Sequence, residues 1–424
     1  MYWPKSIILL TCLNAKYILK KQNSLMETNN LTAGFGSSQE KDYLLAIKEA
    51  TQQARANLVS SKIEAAFLFT TFEYAHPNTL LALKELIDTP YIFGASSAVI
   101  FTKEGFLTRG VAIMLICLPK RIFFQSALAK DTDNERAALE GEELGKRILN
   151  NLPPLKRDLC LFFTSVRPEL NFYLLTGIRR SLGSSFPIIG AVPAGNIYFP
   201  KTHIYLKEDI CENGALAILY GGRLNFGLGI KHGWNPLGKP HYVTKAEGNI
   251  VYEIDGSSAT NLYEDYFAYD SKKLKKELLR ISRFYPLGIY LEGEKQYILR
   301  NIASFQDNGA LLLHGNVAEG SQIRLMIGNK ESCLAATKSA VDEAKQALYP
   351  HLPKFALVFD SISRYFLLGR SAHEEIKIIT NGLGKDTPFI GLCSLNELSP
   401  LKSIDYRGEV YLHNQSIVVL TVGG

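Results

Sequence analysis

Apolar and small residues recur at helical spacing in three places along this chain. Tyr43, Ile47, Ala50, Ala54 and Leu58 stand three or four apart, as do Ala137, Gly141, Leu144 and Ile148, and again Cys333, Ala336, Ala340, Ala344 and Leu348. Each stripe predicts an amphipathic helix, over residues 41–58, 135–149 and 332–348. Ser37 with Glu40 has the spacing of a capping box for the first. The small residues predict close packing of each helix on a sheet. Each helix is followed by an apolar run of strand type: residues 67–71, 161–165 and 357–361. A second helix-like stretch then leads into a Pro-led strand, Pro90-Tyr-Ile-Phe-Gly94, Pro187-Ile-Ile-Gly190 or Pro388-Phe-Ile-Gly391. A closing strand ends each unit, at residues 110–115, 214–219 and 416–420.

Helix, strand, helix, strand, turn and strand thus recur, which predicts duplicated domain units and not a short-period solenoid. A fourth, degraded unit is expected over residues 249–313. The fold class is α/β, with duplicated units forming mixed sheets flanked by helices in two tandem halves. Gly94, Gly190 and Gly391 have two readings. They make tight turns for hairpins, or they let the backbone close round a pocket at the strand ends.

Composition changes this picture little. With 46% apolar and 21% charged residues the chain can fill several cores. Its net charge of +6 is concentrated in the first 25 residues, which hold Lys5, Lys16, Lys20 and Lys21 and no acid. The other basic run, 272–283, alternates with Leu274, Leu278, Leu279 and Ile281, as on a solvated amphipathic helix. No nucleic-acid partner is expected. The six cysteines are scattered without Cys-x-x-Cys, which points to a reducing compartment and no metal site. The apolar run 6–13 is far short of a membrane span, and no small-x-small cleavage site follows it. Met26 offers an alternative start, so residues 1–29 read as an extension. A cytoplasmic protein is expected.

Catalytic patterns are weak. Gly94-Ala-Ser96-Ser-Ala98 has the form of a nucleophile elbow but precedes a β-branched run instead of a helix. Cys393 with His413 is an isolated thiol–imidazole combination. His373-Glu-Glu375 lacks the second histidine of a zincin, and Gly382-Leu-Gly384-Lys385 lacks the frame of a P-loop. No catalytic residue and no cofactor is assigned. The polar edge of the C-terminal unit is richer. Arg364 and Glu397 could hold the carboxylate and ammonium of a zwitterion, or pair with each other. The candidate ligand-binding residues are Gly94, Ser96, Ser97, Gly190, Asn196, Arg364, Gly391, Ser394, Asn396, Glu397 and Asn414.

In order along the chain, these motifs resemble a known family. Phe359-Asp-Ser361-Ile-Ser-Arg364, Leu368-Gly-Arg370, Asn396-Glu-Leu-Ser-Pro400 and Leu412-His-Asn-Gln-Ser416 follow the pattern of the FIST C-terminal domain. Ala33-Gly-Phe-Gly-Ser-Ser38 and the Pro-led strands ending at Gly94 and Gly190 resemble the FIST N-terminal domain. The resemblance divides the chain into 30–225 and 226–424. It implies a sensory module that binds a small polar, amino-acid-like metabolite, has no established catalytic machinery, and signals to a separate protein partner. The alternatives are a protein-interaction scaffold without a small ligand, or a Ser/Cys hydrolase. The sequence departs from the family where Ser361 replaces a usual Cys and Asn396 a usual Gly.

Overall fold

The most apolar runs become the central strands of two sheets. Ala65–Thr70, Arg157–Thr164 and Pro353–Ser361 are almost wholly buried, as expected of strands covered on both faces. The computed structural model describes residues 30–58, 62–133, 135–150, 156–166, 168–195, 201–294, 296–401 and 409–424. The expected extension 1–29 and Asn196 therefore lie outside the described residues.

Three units share one plan. A leading strand (Thr32–Ser38, Phe123–Lys130 or Asn225–Lys231) runs into the first helix (Tyr43–Ala56, Ala137–Asn150 or Lys330–Leu348). The central strand follows, then a second helix: Pro77–Leu86, Pro168–Leu182 or Ala372–Leu383. The glycine-bearing strand comes next: Ile92–Ser96, Ile188–Pro193 or Phe389–Pro400. The closing strand is Val111–Cys117, Gly214–Gly221 or Ile417–Gly423, and it lies beside the central strand in each unit. The leading strands are an addition to the order expected from the pattern. In the first and third units their glycines let the small-residue helix press onto the sheet. A Cβ on Gly36 would lie 2.1 Å from the Ala50 carbonyl oxygen, and one on Gly229 1.8 Å from that of Ala340. In the second unit Gly141 faces the neighbouring helix at Leu174 instead of a sheet.

The second and third units join edge to edge. Phe389–Pro400 pairs antiparallel with Ile188–Pro193, making one 11-stranded sheet. The first unit forms a separate six-stranded sheet, completed by Ile204–Leu206 and Asp209–Cys211, which packs over it. Phe67, Phe69, Phe93, Phe163 and Phe359 fill the layer between them.

Among the described residues the expected fourth unit does not form. Residues 234–328 instead form an eight-stranded antiparallel sheet with three short helices, inserted between the third unit's leading strand and its helix. This insert has its own core around Val251, Tyr263, Leu287 and Leu311. The basic run belongs to two of its helices, Ser271–Lys276 and Leu278–Phe284, which bury Leu274 and Ile281. One smaller expectation also changes. The first helix is capped by Asp42, whose carboxylate accepts the Leu45 N–H, because Ser37 is still in the leading strand.

The three Pro-led glycines do not make turns. Each sits inside its strand, and each is opposite the same position of a parallel neighbour: Gly94 to Leu68, Gly190 to Phe162, Gly391 to Val358. A Cβ at Gly94 or Gly190 would lie 1.8 or 1.7 Å from the partner's carbonyl oxygen. Their role is close approach of backbones.

Candidate functional site

The ends of the three glycine strands do converge, but as a hydrogen-bonded knot. Ser97 Oγ donates to the Cys393 carbonyl at 2.6 Å, the Ala98 N–H to Ala194 O at 2.6 Å, and the Ala194 N–H to Cys393 O at 3.0 Å. Ser97, Ala194 and Cys393 are buried, and these bonds tie the three strand ends to one another. Ser96 turns elsewhere, with its Oγ 3.3 Å from His203 Nδ1 and Glu212 3.5 Å from His203 Nε2. That order of side chains looks like a catalytic relay. It lacks the means: Ser96 Oγ already accepts the His203 N–H at 2.8 Å and is buried. The next two N–H groups are bonded to Thr70 O and Ala194 O, so no oxyanion donor is left over. Cys393 fares no better as a nucleophile. Burial pushes its thiol well above the ordinary range, and His413 Nε2 is bonded to the Ser399 carbonyl at 2.9 Å.

The C-terminal candidates form two buried clusters. In the first, Arg364 is fully buried at the start of the helix Ile362–Leu368. Its Nε donates to Asp360 at 2.7 Å and its Nη2 to Glu375 at 2.6 Å, while Nη1 holds the His232 carbonyl at 2.6 Å. Burial, and then the Glu375 charge, push Asp360 well above the usual carboxylate range. One arginine thus faces both carboxyl groups. In the second, Glu397 Oε1 accepts from Ser394 at 2.6 Å and Oε2 from the Ser416 N–H at 3.1 Å. Burial lifts Glu397 to about 8. Arg364 and Glu397 thus satisfy separate partners, and neither is free to clasp a zwitterion.

Glu397 gives a pH signature. Its folded pKa is raised, so its stabilisation is present in full below about pH 4.5 and lost as pH rises through 8. His232 and His413 act oppositely below 6.5, because burial depresses both, to about 4 and about 3. Between pH 6.5 and 8 Glu397 costs about 2 kcal/mol, and Asp360, also held above its ordinary range, adds to the fall. Urea unfolding should show that fall, and Glu397→Gln should flatten much of it. An unchanged slope in the variant would remove Glu397 as its source.

Asn396 and Asn414 belong to a polar seam between the insert and the α/β body. Asn301 N–H donates to Asn414 Oδ1 at 2.9 Å, Arg300 Nη1 to Leu412 O at 2.9 Å, and Gln415 Nε2 to Ser282 O at 2.7 Å. Asn396 Nδ2 reaches His314 O at 3.4 Å. Asn396 Oδ1 and Gln415 Oε1 remain buried without a donor.

A cavity of about 320 Å³ opens beside this seam. One wall is the face of the helix Lys330–Leu348 carrying Ser332, Ala335, Ala336 and Ser339, at spacings of three, four and seven. A second is the chain from His232 to Asn235, where Gly233 (φ 91°) lets the backbone touch Cys333 and Trp234 packs inward. The insert supplies Gln296 and Tyr297, and the body supplies His413 and Ser416. These two residues flank the expected Asn414, and Ser416 is one hydrogen bond from Glu397. Otherwise the sequence reading missed the lining. The small polar stripe at Ser332 and Ser339 was the available signal, because a purely packing face would not need hydroxyls there.

Sequence comparison places this geometry among relatives. The FIST N domain matches residues 64–257 and the FIST C domain residues 259–400. An uncharacterised protein of Methanocaldococcus jannaschii is 27% identical over 286 residues, 62% of this chain and 53% of that protein. One from Mycobacterium tuberculosis is 20% identical over 218 residues, 50% of this chain and 56% of that protein. The chain thus spans about half the length of these two. A third, from Mycobacterium bovis, is 20% identical over 377 residues, covering 87% of this chain and 94% of its own. Among the described residues no helix is long and apolar enough to cross a membrane. With the two domains matched in tandem across most of its length, the chain belongs to the FIST family of sensory, signal-transduction domains.

Proposed function

We propose that this protein is a cytoplasmic sensor whose small polar ligand, of amino-acid size, binds in the cavity between the insert and the α/β body. The observation that carries this reading is the cavity's position. Its walls come from both parts, so a bound ligand would add contacts across the seam. The volume is at the lower end of metabolite sites, roughly 300–1,000 Å³. The insert has its own hydrophobic core, and the seam leaves buried acceptors unpaired at a cost of about 1–3 kcal/mol each. Docking of the insert is then the weak link a ligand can bias. A separate signalling protein would read that docking. Gly94, Ser96, Ser97, Gly190 and Gly391 support the scaffold in this reading, while Ser394, Asn396, Glu397 and Asn414 form the floor behind the cavity.

Thermal denaturation against a panel of amino acids and small organic acids tests it. A ligand at 100 times its Kd should add about 2.7 kcal/mol. Ser339→Trp, at an exposed position of the lining, should abolish the gain without lowering the unliganded Tm. A panel-wide flat response would refute the reading.

A further inference from the structure

The cavity's charge says more about its occupant than its size does. Among the described residues its lining contains Lys231, His232 and His413 and no aspartate or glutamate. Lys231 is offset by Glu343 at 2.5 Å. Arg364, which holds the His232 carbonyl, is offset by Asp360 and Glu375. Arg300 is different. It is buried, and its guanidinium is bonded to the carbonyls of Leu299, Asn316 and Leu412, with no carboxylate partner among the described residues. Leu412 precedes His413 in the cavity wall. An unpaired buried cation is costly, and a nearby anion relieves that cost.

Three further features have the same sign. Ser332, in the first turn of the helix Lys330–Leu348, faces the cavity, so the positive end of the helix dipole lies at its edge. His232 is depressed to about 4 by burial and then by Arg364 and Lys231, and His413 to about 3 by burial, with Arg300 adding to it. Neither imidazole takes up a proton at neutral pH, so both leave room for a negative ligand charge. Of the nearby acids, Glu343 is held by Lys231, Asp360 and Glu375 by Arg364, and Glu397, lifted to about 8 by burial, by Ser394 and Ser416; none of them lines the cavity. An ammonium group would find no carboxylate among the described lining residues.

We infer that the cavity takes a small anion, a carboxylate-bearing metabolite without an ammonium group, in preference to a zwitterionic amino acid. This rests on the cavity being the ligand site, and it narrows the chemistry of that site.

Matched acid and amide pairs separate the possibilities: acetate with acetamide, succinate with succinamide, glutarate with glutaramide, and alanine as the zwitterion. Thermal shift and calorimetric titration on the full chain provide the readout. At least one acid should bind about tenfold more tightly than its amide and than alanine, the ratio worth 1.4 kcal/mol. Raising salt from low to high should weaken the acid and leave any amide unaffected. Arg300→Lys should keep the preference and Arg300→Met should lose it. The salt series on the unmodified protein decides the matter if Arg300→Met does not fold. Amides or alanine binding as well as the acids would overturn the anion assignment while leaving the cavity as a ligand site. No binding by any compound here or in the wider metabolite panel would instead overturn the cavity reading.

Discussion

Replacing Arg364 by methionine should lower the unfolding free energy by about 3–5 kcal/mol, the range for removing one partner from a buried charge cluster. The side chain is 0% exposed and ties together five segments. It contacts Asp360 at the end of a central strand, Glu375 on the following helix, Thr337 and the Cys333 carbonyl on the helix Lys330–Leu348, and the His232 carbonyl at the cavity wall. Methionine fills similar volume, so the loss is electrostatic and not a void. It leaves two apposed carboxyl groups without their counter-charge. Glu375→Gln in the same chain should recover part of the loss, because it removes one of them. Urea denaturation of the single and double variants measures both effects. A loss below about 1 kcal/mol would mean that water already solvates this cluster.

Gly190→Ala should be comparably severe, at about 3 kcal/mol or more, the upper end for overpacking. The new Cβ would meet the Phe162 carbonyl oxygen at 1.7 Å, and that atom belongs to a central strand locked on both sides. Gly94→Ala repeats the experiment in the first unit, against Leu68 O at 1.8 Å. Gly293→Ala is the control: its Cβ would meet nothing within 4 Å, so a change within about 0.5 kcal/mol is expected. Equal tolerance at all three positions would mean that the strands separate easily, contrary to the packing described above.

The duplicated units were legible because their cues are local. Ala340 and Ala344 mark a helix face by spacing alone, and the buried strands are short apolar runs. The glycines were visible but their purpose was not. Pro-led strands ending in Gly suggest turns, whereas here each strand continues past the glycine beside a parallel neighbour, a fact of register that no single segment contains. The insert defeated the repeat pattern for a related reason. Leu311–Leu313 resembles a closing strand, but it pairs with Ile250–Ile254 and Ile302–Phe305 in an antiparallel sheet.

The candidate site was half legible. Ser394, Asn396, Glu397 and Asn414 were picked out for their polarity near strand ends; none of them lines the cavity, and Glu397, Asn396 and Asn414 meet it only through hydrogen bonds to Ser416 and His413. Arg364 was picked out too, but its charge is consumed by Asp360 and Glu375, partners four and eleven residues away. The lining itself, with Trp234, Tyr297 and Ser339, is drawn from segments far apart in the chain. Only docking of the insert brings them together.

Trp234 provides the most direct test of that arrangement. The chain has two tryptophans, Trp3 and Trp234, so Trp3→Phe leaves the cavity residue as the sole indole reporter. Its emission should change saturably as a small organic acid is titrated, and Ser339→Trp should not be used in that background. A saturable change whose midpoint matches the calorimetric Kd would place the ligand where the walls of insert and body meet. Binding seen by calorimetry with Trp234 emission unaltered throughout would put the ligand elsewhere and contradict the cavity assignment.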